Sequence, residues 1–174
     1  MALHLIIDGY NLIRQSPFFQ EMDARELELG REALLAVLAD YRQARPRHKI
    51  TVVFDGWLGG DLKESRDRRG GMAIVYSRRG ERADEVIKRL LEKERSRAVV
   101  VSSDRELQEY ALKVNATWIS APEFEMSHLR GTGSGPQEDD DDTSSGPGPG
   151  PQKKGPAHRA PKRQRQRRQR LKKL

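Results

Sequence analysis

Four carboxylates stand at matching places in the chain. Asp8 follows the apolar run of residues 3–7, Asp55 follows residues 50–54, and Asp104 follows residues 98–101 after Ser102-Ser103. Each run is short, rich in branched side chains and abruptly stopped, which predicts a strand buried on both faces. In a parallel sheet the carboxyl ends of the strands share one edge, so acids far apart in sequence meet there. Asp84, in the first turn of a helix predicted over residues 83–94, joins them if the strand before it is parallel. Clustered carboxylates raise one another's pKa unless a cation neutralises them. Oxygen-only ligands suit a hard ion, Mg²⁺ or Mn²⁺, rather than zinc. Such an ion lowers the pKa of a water and clamps phosphate oxygens, which is the chemistry of phosphodiester cleavage.

Each residue also has a structural role open to it. Asp-Gly after a strand is a common turn, which covers Asp8 and Asp55. Asp84 and Asp104 sit at predicted helix starts, where the dipole favours an acid by about 0.3–1 kcal/mol. Asn11, three residues after Asp8, can orient Asp8 or a phosphate, or simply begin a helix. Ser102 and Ser103 can meet substrate phosphate, although Ser103 with Glu106 also fits a capping box. His4 lies within a strand and reads as a packed core residue. The coincidence of four acids on one edge is what favours a site over separate turns and caps.

Lys63, Arg66, Arg68, Arg69, Arg78, Arg79 and Arg82 crowd the segments before Asp84. A basic rim beside an acidic centre suits a polyanion whose backbone is held while one phosphate meets the ion. A solvated surface loop is the alternative. Trp57 and Tyr76 stand near the same edge, where aromatic rings can stack on bases.

The elements that must position these groups follow from hydrophobic period and punctuation. Strands are expected at residues 3–7, 50–54, 72–76, 98–101 and 117–119. Helices are expected at residues 25–44, 83–94, 104–114 and 122–129, with a polar connection over 57–71. This alternation predicts an α/β domain with a mainly parallel sheet.

Charge and composition divide the chain. Of 33 Lys+Arg and 26 Asp+Glu residues, giving net +7, eleven basic residues lie within 152–174 and five acids within 138–142. The first 130 residues are therefore nearly neutral, and only Ala157, Ala160, Leu171 and Leu174 are apolar beyond them. We expect a domain over 1–130 and a disordered tail over 131–174, with an acidic run at 138–142, a Gly/Pro linker at 146–151 and a basic stretch at 152–174. The absence of cysteine excludes disulfides, thiol nucleophiles and Cys-based zinc sites, and the four histidines have no paired metal-ligand spacing. No stretch approaches the length of a membrane span and no signal peptide opens the chain, so no membrane partner and a cytoplasmic location are expected.

Asp8-Gly9-Tyr10-Asn11, Val53-Phe54-Asp55, Ala83-Asp84-Glu85 and Ser102-Ser103-Asp104, in this order and spacing, resemble the NYN domain, specifically its YacP-like branch within the PIN-like nuclease superfamily. The resemblance covers about residues 3–129. It implies a three-layer α/β/α PIN-like sandwich and Mg²⁺- or Mn²⁺-dependent endonuclease activity, most often on RNA. It also implies Asp8 and Asp84 as principal acids, Asp55 and Asp104 completing the cluster, and Asn11 in support. Arg78-Arg79-Gly80-Glu81-Arg82 departs from relatives that carry an acid or polar residue near the Asp84 motif, so the grip on substrate differs here.

The leading expectation is thus an endoribonuclease using a carboxylate-bound Mg²⁺ or Mn²⁺ ion. The alternative is a catalytically inactive protein that binds RNA or ribonucleoprotein. A phosphatase is disfavoured, because Tyr10 stands where an Asp-x-Asp motif needs its second acid. The basic tail is expected to tether RNA or a ribonucleoprotein such as the ribosome, with steep salt dependence.

Overall fold

A computed structural model describes residues 2–56, 62–129 and 162–174. Five strands are parallel: β1 (His4–Asp8), β2 (Lys49–Phe54), β4 (Met72–Tyr76), β5 (Ala98–Val101) and β6 (Thr117–Ile119). The sixth, β3 (Ser65–Arg69), is antiparallel, and the sheet order is β3-β4-β2-β1-β5-β6. β1 is central because every one of its residues is buried, as a strand covered on both faces requires.

Alternation along β1 sorts its side chains between two cores. Leu5 and Ile7 pack with Leu12, Ile13, Leu34, Leu38 and Phe54 on one face. Ile6 packs with Val86, Ile87, Leu91, Leu107 and Ala111 on the other. The first core lies under α1 (Gly9–Gln15), α2 (Pro17–Arg25) and α3 (Leu27–Ala44), and the second under α4 (Ala83–Glu94) and α5 (Arg105–Lys113). The three-layer α/β/α arrangement is therefore present. The chain leaves β1 towards β2 on one side and returns later to β5 on the other. That reversal of direction makes a switch point at the carboxyl ends of β1 and β5, where open α/β sheets bind ligands in the crevice between the diverging loops.

Gly9 lets the start of α1 lie directly against the core. A Cβ at this position would overlap Cε1 of Phe54, whose ring is fully buried between Tyr10 and Tyr76. Gly9→Ala is therefore expected to cost about 1–3 kcal/mol through overpacking. A thermal melt lowered by several degrees would register it, whereas an unchanged melt would mean the ring moves freely.

Several elements differ from the sequence expectation. Within the polar connection, Ser65–Arg69 pairs with β4 as an edge strand with largely exposed side chains, so no apolar alternation marks it. Trp57 and residues 58–61 lie outside the described residues. The α5 cap is Asp104 rather than Ser103, its Oδ1 accepting from the N–H groups of Glu106 and Leu107 at 2.7 and 3.2 Å. The last helix of the domain is short, α6 (Ala121–Phe124), and continues as a π-helical turn over Glu125–Leu129. Beyond residue 129 the expected tail is corrected in its last part. Lys162–Leu171 forms a helix, α7, because Leu171 and Leu174 are buried against the domain. The acidic run and the Gly/Pro linker lie outside the described residues. Among the described residues, no helix is long and apolar enough to cross a membrane.

Candidate functional site

The end of β1 presents Asp8 at the crevice, and the residue serves two purposes at once. Its Oδ1 caps α1 by accepting from the Asn11 N–H at 3.2 Å. Its Oδ2 accepts from the Ser102 hydroxyl at 3.3 Å. With only 8 % of its surface exposed, burial pushes the Asp8 carboxyl up to about 6. The Asn11 N–H pulls it back, while the charge on Asp84, and more weakly that on Asp104, pushes it further up. An acid poised this way binds a cation readily, because the ion removes the electrostatic cost of ionising it.

Asp84 enters from the other side, at the second residue of α4, and is also buried. Burial raises its pKa, the Arg82 guanidinium at 3.0 Å opposes that rise, and Asp104 adds to it. Asp104 follows β5 and belongs to the same electrostatic group. Asp55 follows β2 on the same edge, one strand beyond Asp8.

A hydrogen-bonded frame fixes the three loops relative to one another. The Ser102 hydroxyl donates to Asp8 and accepts from the Asp104 N–H at 3.1 Å, so its one proton is committed. Asn11 Oδ1 accepts from the Ser103 N–H at 2.8 Å, so the other end of its amide is a donor. The Ser103 hydroxyl accepts from the Ala121 N–H at 3.2 Å. Gln108 donates from Nε2 to the Ser102 carbonyl at 3.0 Å. Gln108 was not anticipated, although its position four residues after Asp104 puts it on the same helix face.

The sequence-predicted residues therefore separate. Asn11 ties the Asp8 turn to the Ser103 loop, and Asp8, Asp84 and Asp104 lie near enough for their charges to act on one another. Ser102 is wholly buried, and its hydroxyl donates to the Asp8 carboxylate. Arg78, Arg79 and Arg82 lie in the turn after β4 on the site's edge, with Arg78 near Glu81 at 3.6 Å and Arg82 on Asp84. Arg68 and Arg69 do not join them. β3 runs antiparallel and pairs Arg69 with Met72, at the opposite end of β4 from Tyr76, and Arg69 bonds Glu32 at 2.6 Å. Tyr76 stacks on Phe54 with ring centroids 5.6 Å apart. His4 lies at the far edge, its Nε2 2.8 Å from the Thr51 hydroxyl, as a core residue should.

Among the described residues, no three His, Asp or Glu side chains converge on one ion position. The donor set still fits a hard cation. Mg²⁺ is usually held by one or two carboxylates with water completing the shell, and Asp8 offers a buried carboxylate whose neighbours are also acids.

Comparison with known proteins places this geometry. The model of the YacP-like NYN domain family matches residues 5–145. YacP of Bacillus subtilis strain 168, described as an uncharacterized protein, is 31% identical over 86 residues. That stretch is 49% of this chain and 49% of the relative, so the match spans about half of each. The crystal structure of Rae1 (YacP) from Bacillus subtilis superposes with a TM-score of 0.59 at 27% identity, covering 72% of each chain. A mutant form of the same protein gives a TM-score of 0.58 at 24% identity, with 71% of this chain and 73% of that one covered.

Proposed function

Because the chain belongs to the family of YacP-like NYN domains, with their PIN-like nuclease fold, we propose that it is a metal-dependent endoribonuclease acting at the Asp8 crevice. The observation that carries this reading is the buried Asp8 carboxyl, raised to about 6 and electrically coupled to Asp84 and Asp104 at the switch point of the sheet. A carboxylate serving only as a helix cap gains nothing from such company.

Asp8 and Asp84 would hold a Mg²⁺ or Mn²⁺ ion, with Asp104 and Asp55 adding negative potential around it. When bound, the ion lowers the pKa of a water and neutralises charge on phosphate oxygens. The rest of the work falls to the chain. Ser102 and the Asn11 N–H fix the Asp8 carboxylate in one orientation. The Asn11 amide nitrogen donates to a phosphate oxygen brought into the crevice. Arg78 and Arg79, exposed in the turn beside Asp84, hold the flanking backbone by charge. The substrate is RNA, free or within a ribonucleoprotein such as the ribosome.

Calorimetric titration of the full chain with Mn²⁺, beside Asp8→Asn/Asp84→Asn, tests this directly when paired with cleavage of labelled RNA. Ion binding and internal cuts lost together in the variant are the expected result. No binding to the wild type, with RNA present as well as absent, would return the acids to turns and caps. One observation favours a second reading, RNA binding without cleavage: Asp104 already accepts two N–H groups and Asp84 already has Arg82. RNA bound but never cut, at saturating Mn²⁺, would select that reading.

A further inference from the structure

α7 is anchored to the domain through one face. Arg167, Arg170, Leu171 and Leu174 recur at helical spacing and point inward. Leu171 and Leu174 are buried in the same core as Leu3, Tyr41 and Phe124. The Tyr41 hydroxyl donates to the Leu174 carbonyl at 2.9 Å. His48 Nδ1 accepts from the Leu3 N–H at 3.2 Å, so Nε2 carries the proton and donates to the Lys173 carbonyl at 2.8 Å. The Arg167 guanidinium lies 4.2 Å from the centre of the Trp118 ring, donates to the Trp118 carbonyl at 3.0 Å and pairs with Glu123 at 2.7 Å. Arg170 donates to the Asn115 carbonyl at 3.3 Å and the Thr117 hydroxyl at 3.0 Å. β6 is the last strand of the sheet, and these contacts cover its open edge.

The opposite face carries cations and glutamines, with no acid among them. Arg168, Lys172 and Lys173 are exposed, and no acid occurs anywhere in residues 152–174. Several arginines of the domain differ, since Arg66, Arg69, Arg78, Arg82, Arg89 and Arg97 each sit on a carboxylate. We propose that the outer face of α7, held rigid by its inner face, is a binding surface for the phosphate backbone of RNA. The helix runs along the flank of the sheet, from His48 at the far edge to Glu123 in α6. That helix begins beside Ser103 on the site's edge. A strand of RNA lying along it would be led towards the crevice. The choice of RNA rests on the proposed nuclease activity, while the surface itself requires only closely spaced phosphates.

Anisotropy of a labelled single-stranded RNA, titrated with the full chain in chelator over a range of salt, separates this surface from catalysis. Arg168→Gln/Lys172→Gln/Lys173→Gln should weaken binding about tenfold or more at low salt and lower the log–log salt slope by about 2, with an unchanged melt. Leu171→Ser/Leu174→Ser keeps every charge but frees the helix, and should weaken binding about fivefold because the cations are no longer held in place. Tyr41→Phe, which loses only the hydroxyl on Leu174, should shift affinity in the same direction by less, and amide exchange in α7 reports the undocking. Wild-type affinity in an undocked variant would mean that the charges act as a loose arm, and the proposal would fall. It would fall equally if the triple variant bound RNA unchanged, or if its three cations mattered for anionic vesicles and not for RNA.

Discussion

Asp8→Asn should reduce RNA cleavage by roughly a thousandfold, equivalent to about 4 kcal/mol of transition-state stabilisation, while making the folded domain more stable at neutral pH. The two signs oppose each other for one reason. Burial raises the folded-state pKa of Asp8 from the ordinary 3.8 to about 6. Below pH 3.8 the group is neutral whether folded or unfolded and contributes no penalty. As pH rises from 3.8 to 6 the unfolded chain gives up this proton and the folded protein keeps it, so stability falls by about 3 kcal/mol, a loss fully present at pH 7. Asparagine carries no such cost, and its oxygen can still accept from the Asn11 N–H. The melting temperature of the variant should therefore exceed that of the wild type by several degrees at pH 7.5 and match it near pH 3.5. Divalent ions act in the other direction. At 100-fold over Kd, Mn²⁺ should stabilise the wild type by about 2.7 kcal/mol and leave the variant untouched. Ion affinity should fall about tenfold per pH unit below 6, since the ion must displace a proton. A variant that cut RNA normally, or that melted lower at neutral pH, would reduce Asp8 to a helix cap.

What could be read from the chain before its structure divides along a physical line. β1, β2, β4, β5 and β6 were legible because each is a short, mostly buried stretch dominated by apolar side chains. Their terminal acids were legible with them. β3 was not, since an edge strand with exposed faces needs no apolar residue, and Ser-Arg-Asp-Arg-Arg carries none. The same strand explains why Arg68 and Arg69 were placed wrongly: their closeness in sequence to the site is undone by the antiparallel turn at Gly70-Gly71, where both residues have positive φ. α1 and α2 bury only Leu12, Ile13 and Phe19 among their large apolar side chains, too few for a periodic stripe. Their caps, Asp8 and Ser16 followed by Pro17, were the available signal.

The cap of α5 shows a different limit. Ser103 and Asp104 are equally good N-cap types, and local sequence gives no way to choose between them. The choice is made by distant partners: Asn11 takes the Ser103 N–H and Ala121 takes its hydroxyl, so Asp104 is left to close the helix. α7 was hidden for a similar reason. Its composition is that of an unfolded segment, and only the inward positions of Leu171 and Leu174, set by the Tyr41 and His48 contacts, give it a place to fold.

Asp84→Asn should match Asp8→Asn in lost cleavage and differ from it in stability. Both acids are buried, but Asp84 sits in the first turn of α4, where the helix dipole favours a negative charge by about 0.3–1 kcal/mol, and it has Arg82 beside it. These oppose the burial but leave its pKa raised, so asparagine should lift the melt at neutral pH by less than it does at Asp8. The coupling between the acids supplies a second readout. The Asp84 charge is one of the influences that hold the Asp8 pKa up, so its removal should move the Asp8 titration downward. Carboxyl ¹³C NMR on the full chain would follow that shift, and the pH at which Mn²⁺ binding fails in any residual-affinity regime should move with it. An Asp8 titration unaltered by Asp84→Asn would mean that the two carboxylates do not share a site. Cleavage would then have to be sought with Asp8 and Asp104 alone. A downward shift together with lost cleavage would instead tie activity to the mutual repulsion of buried acids, which a bound cation relieves above pH 6.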